Sequence, residues 1–142
     1  MEINKVVSRY DEAARLCRRA LRYLEAAKDD LAKGFYDVSA TNCEVSAQLL
    51  LKSSILFLGL NYPETHNLRE LLGIIDSAAP ELNVREFIRK YRKELKDVES
   101  NRIEGQYSPF EVDEDTARDC IDFVSNYLIP LVRQVWKDRW CE

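Results

Sequence analysis

Apolar residues recur along most of the chain at alternating steps of three and four, and this period constrains the fold more than any other feature. In the first predicted helix, residues 6–33, the apolar positions are Tyr10, Ala13, Cys17, Ala20, Leu24, Ala27 and Leu31. Such a period places one apolar stripe along a helix that packs lengthwise on its neighbours. Only 4 Gly and 4 Pro interrupt 142 residues, which leaves little room for the many turns of a sheet protein. The sequence therefore predicts an all-helical chain.

Helix-breaking residues and capping patterns divide the chain into five predicted helices. Their spans are about 6–33, 36–58, 67–78, 84–103 and 113–140. Asn67 with Glu70, and Asn83 with Glu86, match the spacing of a capping box, and Asp113 is a predicted N-cap. Gly105 is expected to end the fourth helix, and Pro130 is expected to kink the last. Four long helices and one short helix with short loops predict an up-and-down antiparallel helical bundle, with residues 1–142 as a single domain.

The net charge is −4, from 21 basic and 25 acidic residues, so any nucleic-acid site has to be a local basic stripe. Two such stripes are Arg15, Arg18, Arg19 and Arg22 on the first helix, and Arg85, Arg89, Arg92, Lys93 and Lys96 on the fourth. Acidic residues intervene in both. The favoured interpretation is a solvated helix face, with contact to a phosphate backbone as the alternative.

The four cysteines form no CxxC pair, and the single histidine has no cysteine near it in sequence. We therefore expect no metal site and no cofactor. Free cysteines in apolar helical positions act as small hydrophobes, so the reduced state of a cytoplasmic protein is expected. The most apolar stretch, residues 45–60, is interrupted by polar side chains, and the N-terminal turns are charged. The sequence predicts no membrane contact.

Two segments of the chain resemble a known family. Residues 46–53, Ser-Ala-Gln-Leu-Leu-Leu-Lys-Ser, are similar to the Ala-rich helix of HEPN domains, which carries a Glu-Lys-Ala-Leu-Lys core. Residues 59–68, Gly-Leu-Asn-Tyr-Pro-Glu-Thr-His-Asn-Leu, resemble the family's "Gly, Pro, Thr-His-Asn-Leu" passage, and a Leu-Leu pair follows in both. Tyr107 lies before the last helix, where many members carry Ala-Arg-Tyr-Pro. The resemblance covers about residues 8–135 and is that of a standalone prokaryotic member.

The resemblance implies a homodimeric helical bundle with a link to nucleotides or RNA. Many HEPN proteins are metal-independent ribonucleases, and these are often toxins partnered with a minimal nucleotidyltransferase. Their catalytic signature is an Arg followed, after four to six residues, by His on the penultimate long helix. Other members lack the signature and act as binding modules without catalysis.

The chain departs from the ribonuclease signature at its second residue. Arg102, preceded by Asn101, occupies the Arg position, but Tyr107 follows where a ribonuclease has His, and the single His66 precedes both. Cleavage by the 2′-hydroxyl needs a base that titrates near neutral pH, whereas an ordinary Tyr has a pKa of about 10. We therefore expect no catalytic residues and a ligand-binding set of Asn101, Arg102, Tyr107 and His66, in which Arg102 holds a phosphate and Tyr107 stacks on a base.

Alternatives to a dimeric nucleotide- or RNA-binding module stay open. One is a divergent ribonuclease, toxin-like, that uses Arg102 and Tyr107. Another is an interaction partner that binds a minimal nucleotidyltransferase in trans, as in a toxin–antitoxin pair. Three of the four candidate residues also have a structural explanation: an ion pair for Arg102, with Glu104 or across a dimer; core packing for Tyr107; a turn and cap for His66.

Overall fold

The computed structural model describes residues 9–142, and this part of the chain is built from helices without a strand. The α-helices are α1 (Arg9–Ala32), α2 (Tyr36–Phe57), α3 (Leu68–Ala78), α4 (Val84–Lys90), α5 (Arg92–Tyr107), α6 (Glu114–Phe123) and α7 (Ile129–Trp136). A π-helical turn, Val124–Leu128, joins α6 to α7, and 3-10 turns follow α3 and α7 at Pro80–Leu82 and Lys137–Arg139. The predicted all-helical bundle is confirmed; residues 6–8 of the first predicted helix lie outside the described part.

The antiparallel pair of α1 and α2 forms the centre of the bundle. Small residues recur every seven positions on the facing sides of both helices: Ala13, Ala20 and Ala27 on α1, and Ser39, Ser46 and Ser53 on α2, all fully buried. Because these side chains are short, α1 and α2 approach each other closely, and two of the serine hydroxyls reach carbonyl oxygens of α1. Ser39 Oγ donates to Ala27 O at 2.7 Å, and Ser46 Oγ donates to Ala20 O at 2.8 Å. The hydroxyls are thereby satisfied inside the core.

Helix α2 is covered on nearly every side, since it contacts α1, α3, α5, α6 and α7. Its Leu50, Leu51 and Ile55 are fully buried against apolar side chains from the surrounding helices. At its C-terminal end, the Trp136 ring stacks on Phe57, and Trp136 Nε1 donates to Ser54 Oγ at 3.0 Å. The apolar faces predicted for this helix therefore pack within the monomer.

The predicted fourth helix is two helices, and Gly105 does not end it. The chain bends at Tyr91, between α4 and α5, where the Tyr91 ring packs on Phe123 and Tyr127. Helix α5 continues through Gly105 to Tyr107. A Cβ at Gly105 would lie 2.1 Å from Thr41 Oγ1 and 2.9 Å from the Asp37 carbonyl oxygen. This glycine is thus required by the close approach of α5 to α2.

Two of the three predicted N-caps form, and the third does not. Asn67 caps α3 by accepting from Glu70 N at 3.0 Å, and Asp113 caps α6 by accepting from Thr116 N at 2.8 Å. The Asn83 side chain does not cap α4: the residue has a φ of 54°, and its side chain makes no capping hydrogen bond. Asp76 instead accepts from the backbone N–H of Arg85 at 3.1 Å. The second predicted capping box is therefore wrong, because a carboxylate from α3 takes its place.

The predictions for the last helix and for the cysteines also need revision. The disruption expected at Pro130 takes the form of the π-helical turn that precedes it. Cys17 and Cys141 form a disulfide, with 6.1 Å between their Cα atoms, so the expectation that all cysteines are reduced is wrong for this pair. The C-terminal residues fold back on α1, a contact between residues 124 apart in sequence that no local pattern encodes. Cys43 and Cys120 are free and buried.

None of the helices in residues 9–142 is long and apolar enough to span a bilayer.

We predict that Gly105→Ala destabilises the fold by about 1–3 kcal/mol, because the new methyl group forces α5 away from the α2 backbone. The matched control is Gly73→Ala on α3, where a Cβ meets no atom within 4 Å. That substitution should stabilise the fold by up to about 1 kcal/mol, as expected for helix propensity. Urea unfolding of both variants checks the pair, and stabilisation by Gly105→Ala would contradict the close approach.

Candidate functional site

Two buried polar side chains of α2 connect that helix to the loop that precedes α3. Glu44 is 2% exposed, and its Oε2 accepts a hydrogen bond from Gln48 Nε2 at 2.8 Å. The same Nε2 donates to the backbone carbonyl of His66 at 2.6 Å. Because both bonds lie in the protein interior, they fix the position of His66 relative to α2.

The loop is also held from the side of α5. Glu99 Oε1 accepts from the first N–H of α3, that of Leu68, at 2.5 Å. The Thr65 hydroxyl accepts from Asn67 N at 3.2 Å and donates to Glu70 at 3.0 Å. The segment around His66 is thus tied to both α2 and α5.

Arg102 lies one turn after Glu99 on α5, and it is half-buried. Its positive charge lowers the pKa of both Glu44 and His66, so the three side chains form one electrostatic cluster. Within residues 9–142 the Arg102 guanidinium makes no hydrogen bond and no ion pair, so the pair with Glu104 considered from the sequence does not form. Lys52 acts on the same two groups, and its ammonium lies 5.4 Å from the centre of the Tyr62 ring.

Burial and charge alter both titratable groups at the centre of this cluster. Burial raises the pKa of Glu44 to about 7, against the lowering effects of the Gln48 hydrogen bond and of Arg102. Loss of water around the ring, then Arg102 and Lys52, lower the pKa of His66 from its ordinary value. Near neutral pH, His66 is therefore mostly uncharged, and Glu44 is only partly ionised.

The structure brings two of the four expected site residues together. Arg102 and His66 belong to the same cluster, whereas Asn101 is 2% exposed and lines a separate groove between α5 and α6. Tyr107 is 73% exposed. Five residues of α-helix turn by about 140°, so Tyr107 faces away from Arg102.

Sequence reasoning missed the supporting residues Glu44 and Glu99, and it assigned no role in the site to Gln48 or Lys52. A signal for three of them is present in the sequence. Residues 44, 48 and 52 are polar at steps of four, which places them on one face of a helix that is otherwise buried. Polar side chains in such a row require partners and so mark an internal site.

The basic stripes on the helices show the features of solvated faces. The four arginines on α1 are exposed. On α4 and α5, Arg89 pairs with Glu86 at 2.7 Å, and Lys93 pairs with Asp97 at 2.9 Å. Across residues 9–142, no three His, Cys, Asp or Glu side chains are grouped so that they could hold a metal ion.

A comparison with protein families gives the family of this chain. The model of the HEPN domain matches residues 13–134, which is most of the sequence. The chain belongs to the HEPN domain family. HEPN domains are nucleotide-binding or ribonuclease-type modules. No curated protein and no solved structure matches the chain.

We predict that the stability of this HEPN domain falls as the pH rises, through Glu44. Its pKa in the folded protein, about 7, lies above its ordinary value of 4.5, so between these values the folded state binds more protons than the unfolded state. The free energy of unfolding should therefore fall by about 3 kcal/mol from below pH 4.5 to above pH 7. Glu44→Gln keeps an acceptor for Gln48 and should remove this loss.

The measurement is chemical denaturation at a series of pH values. Glu64→Gln, on the exposed loop before α3, is the control and should retain the pH dependence of the unmodified protein. An identical pH dependence in Glu44→Gln would show that Glu44 does not titrate in this range.

Proposed function

We propose that this HEPN domain binds a phosphate group of a nucleotide or RNA between Arg102 and His66 without cleaving it. The observation that supports this most directly is the state of Arg102, a half-buried guanidinium without an ion pair or hydrogen bond in residues 9–142. A guanidinium in this state is suited to bidentate contact with phosphate oxygens.

The surrounding charges favour an anion. Lys52 adds a second cation, and the His66 side chain is exposed. Of the two carboxyl groups nearby, Glu44 is partly neutral near pH 7, and Glu99 is engaged with the N-terminus of α3. Repulsion of a phosphate by these acidic groups is therefore reduced.

The length of the ligand decides which of the expected residues it reaches. Tyr107 lies about 7–8 Å along α5 from Arg102 and faces another side of the helix. A mononucleotide held at Arg102 would not contact it, whereas a strand of RNA passing around α5 would offer further bases to the exposed ring. We therefore assign Tyr107 to base stacking on RNA alone. A binding role for Asn101 belongs to the groove on the other side of α5.

A divergent ribonuclease is the second candidate, favoured by the location of His66 beside Arg102. The ribonuclease signature has a histidine at the position of Tyr107. His66 precedes Arg102 in sequence, but it supplies an imidazole to the same site. With its lowered pKa, His66 is suited to take a proton from a 2′-hydroxyl. Cleavage also requires an acid that protonates the departing 5′-oxygen, and Tyr107 faces away. We therefore rank this candidate, with its toxin role and nucleotidyltransferase partner in trans, below binding alone.

We also propose that the domain works as a homodimer. Ile103 and Phe110 are 51% and 80% exposed, and they lie near the end of α5 and in the loop after it. Exposed apolar side chains grouped in this way are typical of interfaces. Light scattering should give twice the chain mass of 16.6 kDa, and Ile103→Glu should reduce it to the monomer value. A monomeric mass for the unmodified protein at micromolar concentration would contradict the dimer.

We predict that Arg102→Ala weakens binding of AMP and of a short RNA by about tenfold or more, as expected for the loss of charge-assisted hydrogen bonds. The matched control is Arg92→Ala on the same helix, whose side chain is exposed and makes no ion pair within the described residues. Tyr107→Ala should weaken binding of RNA and leave that of AMP unchanged.

Calorimetry with AMP and fluorescence anisotropy with labelled RNA measure these affinities. Equal losses in the Arg102 and Arg92 variants would show that the site has been placed wrongly. The anisotropy samples, kept in a chelator and then run on a gel, test the rival. Cleavage that disappears in both Arg102→Ala and His66→Ala would establish the ribonuclease instead.

A further inference from the structure

A groove of about 660 Å³ runs between α5 and α6, on the side of α5 away from His66. It extends along α5 from Tyr91 to Glu104, a distance of about 20 Å at the rise of an α-helix. The loop between the two helices, with Phe110 and Val112, closes one end. The aromatic side chains of Tyr91, Phe123 and Tyr127 form the other end.

The walls of this groove carry an excess of negative charge. Seven carboxylates line it: Glu94, Asp97, Glu104, Glu111, Asp113, Asp119 and Asp122. Lys93 is the one cationic side chain among the lining residues, and it pairs with Asp97. Asp113 caps α6, and the other five carboxylates make no ion pair or hydrogen bond in residues 9–142.

The floor of the groove holds a polar side chain without a partner. Asn101 is 98% buried, by its 2% exposure, and it lines the groove. Its amide makes no hydrogen bond within the described part of the chain. The buried hydroxyls of Ser39 and Ser46 and the buried Nε2 of Gln48 all donate hydrogen bonds, whereas Gln48 Oε1 has no partner in residues 9–142. The amide lies at the surface of the groove, so its oxygen can accept a hydrogen bond from a donor on a ligand there.

We propose that this groove binds a linear aliphatic polyamine. Its ammonium groups would contact the carboxylates of both walls, its methylene segments would lie along the apolar surface, and an internal N–H would donate to Asn101 Oδ1. Each wall carries two carboxylates three residues apart, Glu94 with Asp97 and Asp119 with Asp122, and the members of each pair lie about 4.5 Å apart along the helix axis. The aromatic end offers ring faces to a terminal ammonium.

Other occupants fit this surface less well. A nucleotide or RNA would be repelled by the carboxylates. A second copy of the chain related by a two-fold axis at the groove would bring the same carboxylates face to face. A hydrated divalent cation would not use the aromatic end or the length of the groove. A basic protein segment shares the ammonium chemistry, and titration with a lysine-rich peptide distinguishes it from a polyamine.

The test is calorimetric titration of the intact protein with spermidine at low salt. Asp119→Asn/Asp122→Asn should weaken binding by about tenfold, since each carboxylate contributes modestly at an exposed site. The control, Asp29→Asn/Glu64→Gln, removes two exposed carboxylates elsewhere and should retain the affinity within about twofold. Because both double variants change the net charge equally, nonspecific attraction predicts equal losses.

Asn101→Leu gives a second readout that a merely structural role for the amide would not produce. Leu has a similar size and leaves no unsatisfied polar group, so this variant should bind spermidine more weakly while its thermal midpoint stays level or rises. Weaker binding with a lowered midpoint would mean that Asn101 serves the fold, and this would overturn its assignment to the ligand.

Two further outcomes would overturn the proposal. Equal losses of affinity in both double variants would show that net charge alone accounts for spermidine binding. Tighter binding of a lysine-rich peptide than of spermidine, with the same dependence on Asp119 and Asp122, would make a basic protein segment the occupant. The result is independent of the Arg102 site, because the spermidine titration contains no nucleotide and Arg102→Ala should leave it unchanged.

Discussion

Hydrogen bonds from the Ser39 and Ser46 hydroxyls to carbonyl oxygens of α1 hold the first two helices at close range, and the other helices assemble around this pair. Because α1 covers one side of α2 and four other helices cover most of the rest, α2 becomes an internal element. Any polar side chain on it must then find a partner in the interior. Glu44 and Gln48 find theirs in each other and in the His66 carbonyl, and this is how the core of the bundle determines the position of the candidate site.

The close approach of α5 to α2 at Gly105 gives the two flanks of α5 different roles. One flank presents Arg102 to His66 and Glu44, and the other presents Asn101 to the acidic groove beside α6. Adjacent residues of one helix thereby serve regions of opposite charge. The net charge of −4 describes neither region, because a sum over the chain contains no information on how the charges are distributed.

Sequence reasoning succeeded where local rules decide the outcome. The apolar period located the helices, and short-range capping chemistry identified Asn67 and Asp113. It failed where distant residues decide. A glycine is needed at position 105 because α2 passes close to it, the cap of α4 comes from Asp76, and the disulfide joins Cys17 to Cys141.

The candidate site shows the same division between local and distant information. The family resemblance pointed to Arg102 and His66, but their association depends on the packing of a loop, α2 and α5. Glu44 was missed because its polarity carries meaning only once α2 is known to be buried. Tyr107, placed by spacing along the sequence, faces another side of the helix, because sequence spacing alone does not say which residues share a ligand.

An NMR titration of His66 tests the central claim most directly, since it is the single histidine of the chain and gives one set of ring signals. The account predicts a His66 pKa below the ordinary value in the free protein, a higher pKa in Arg102→Ala, and a higher pKa when a short RNA brings its phosphate to the site. A His66 pKa that is the same in the unmodified protein, in Arg102→Ala and in the presence of RNA would contradict it.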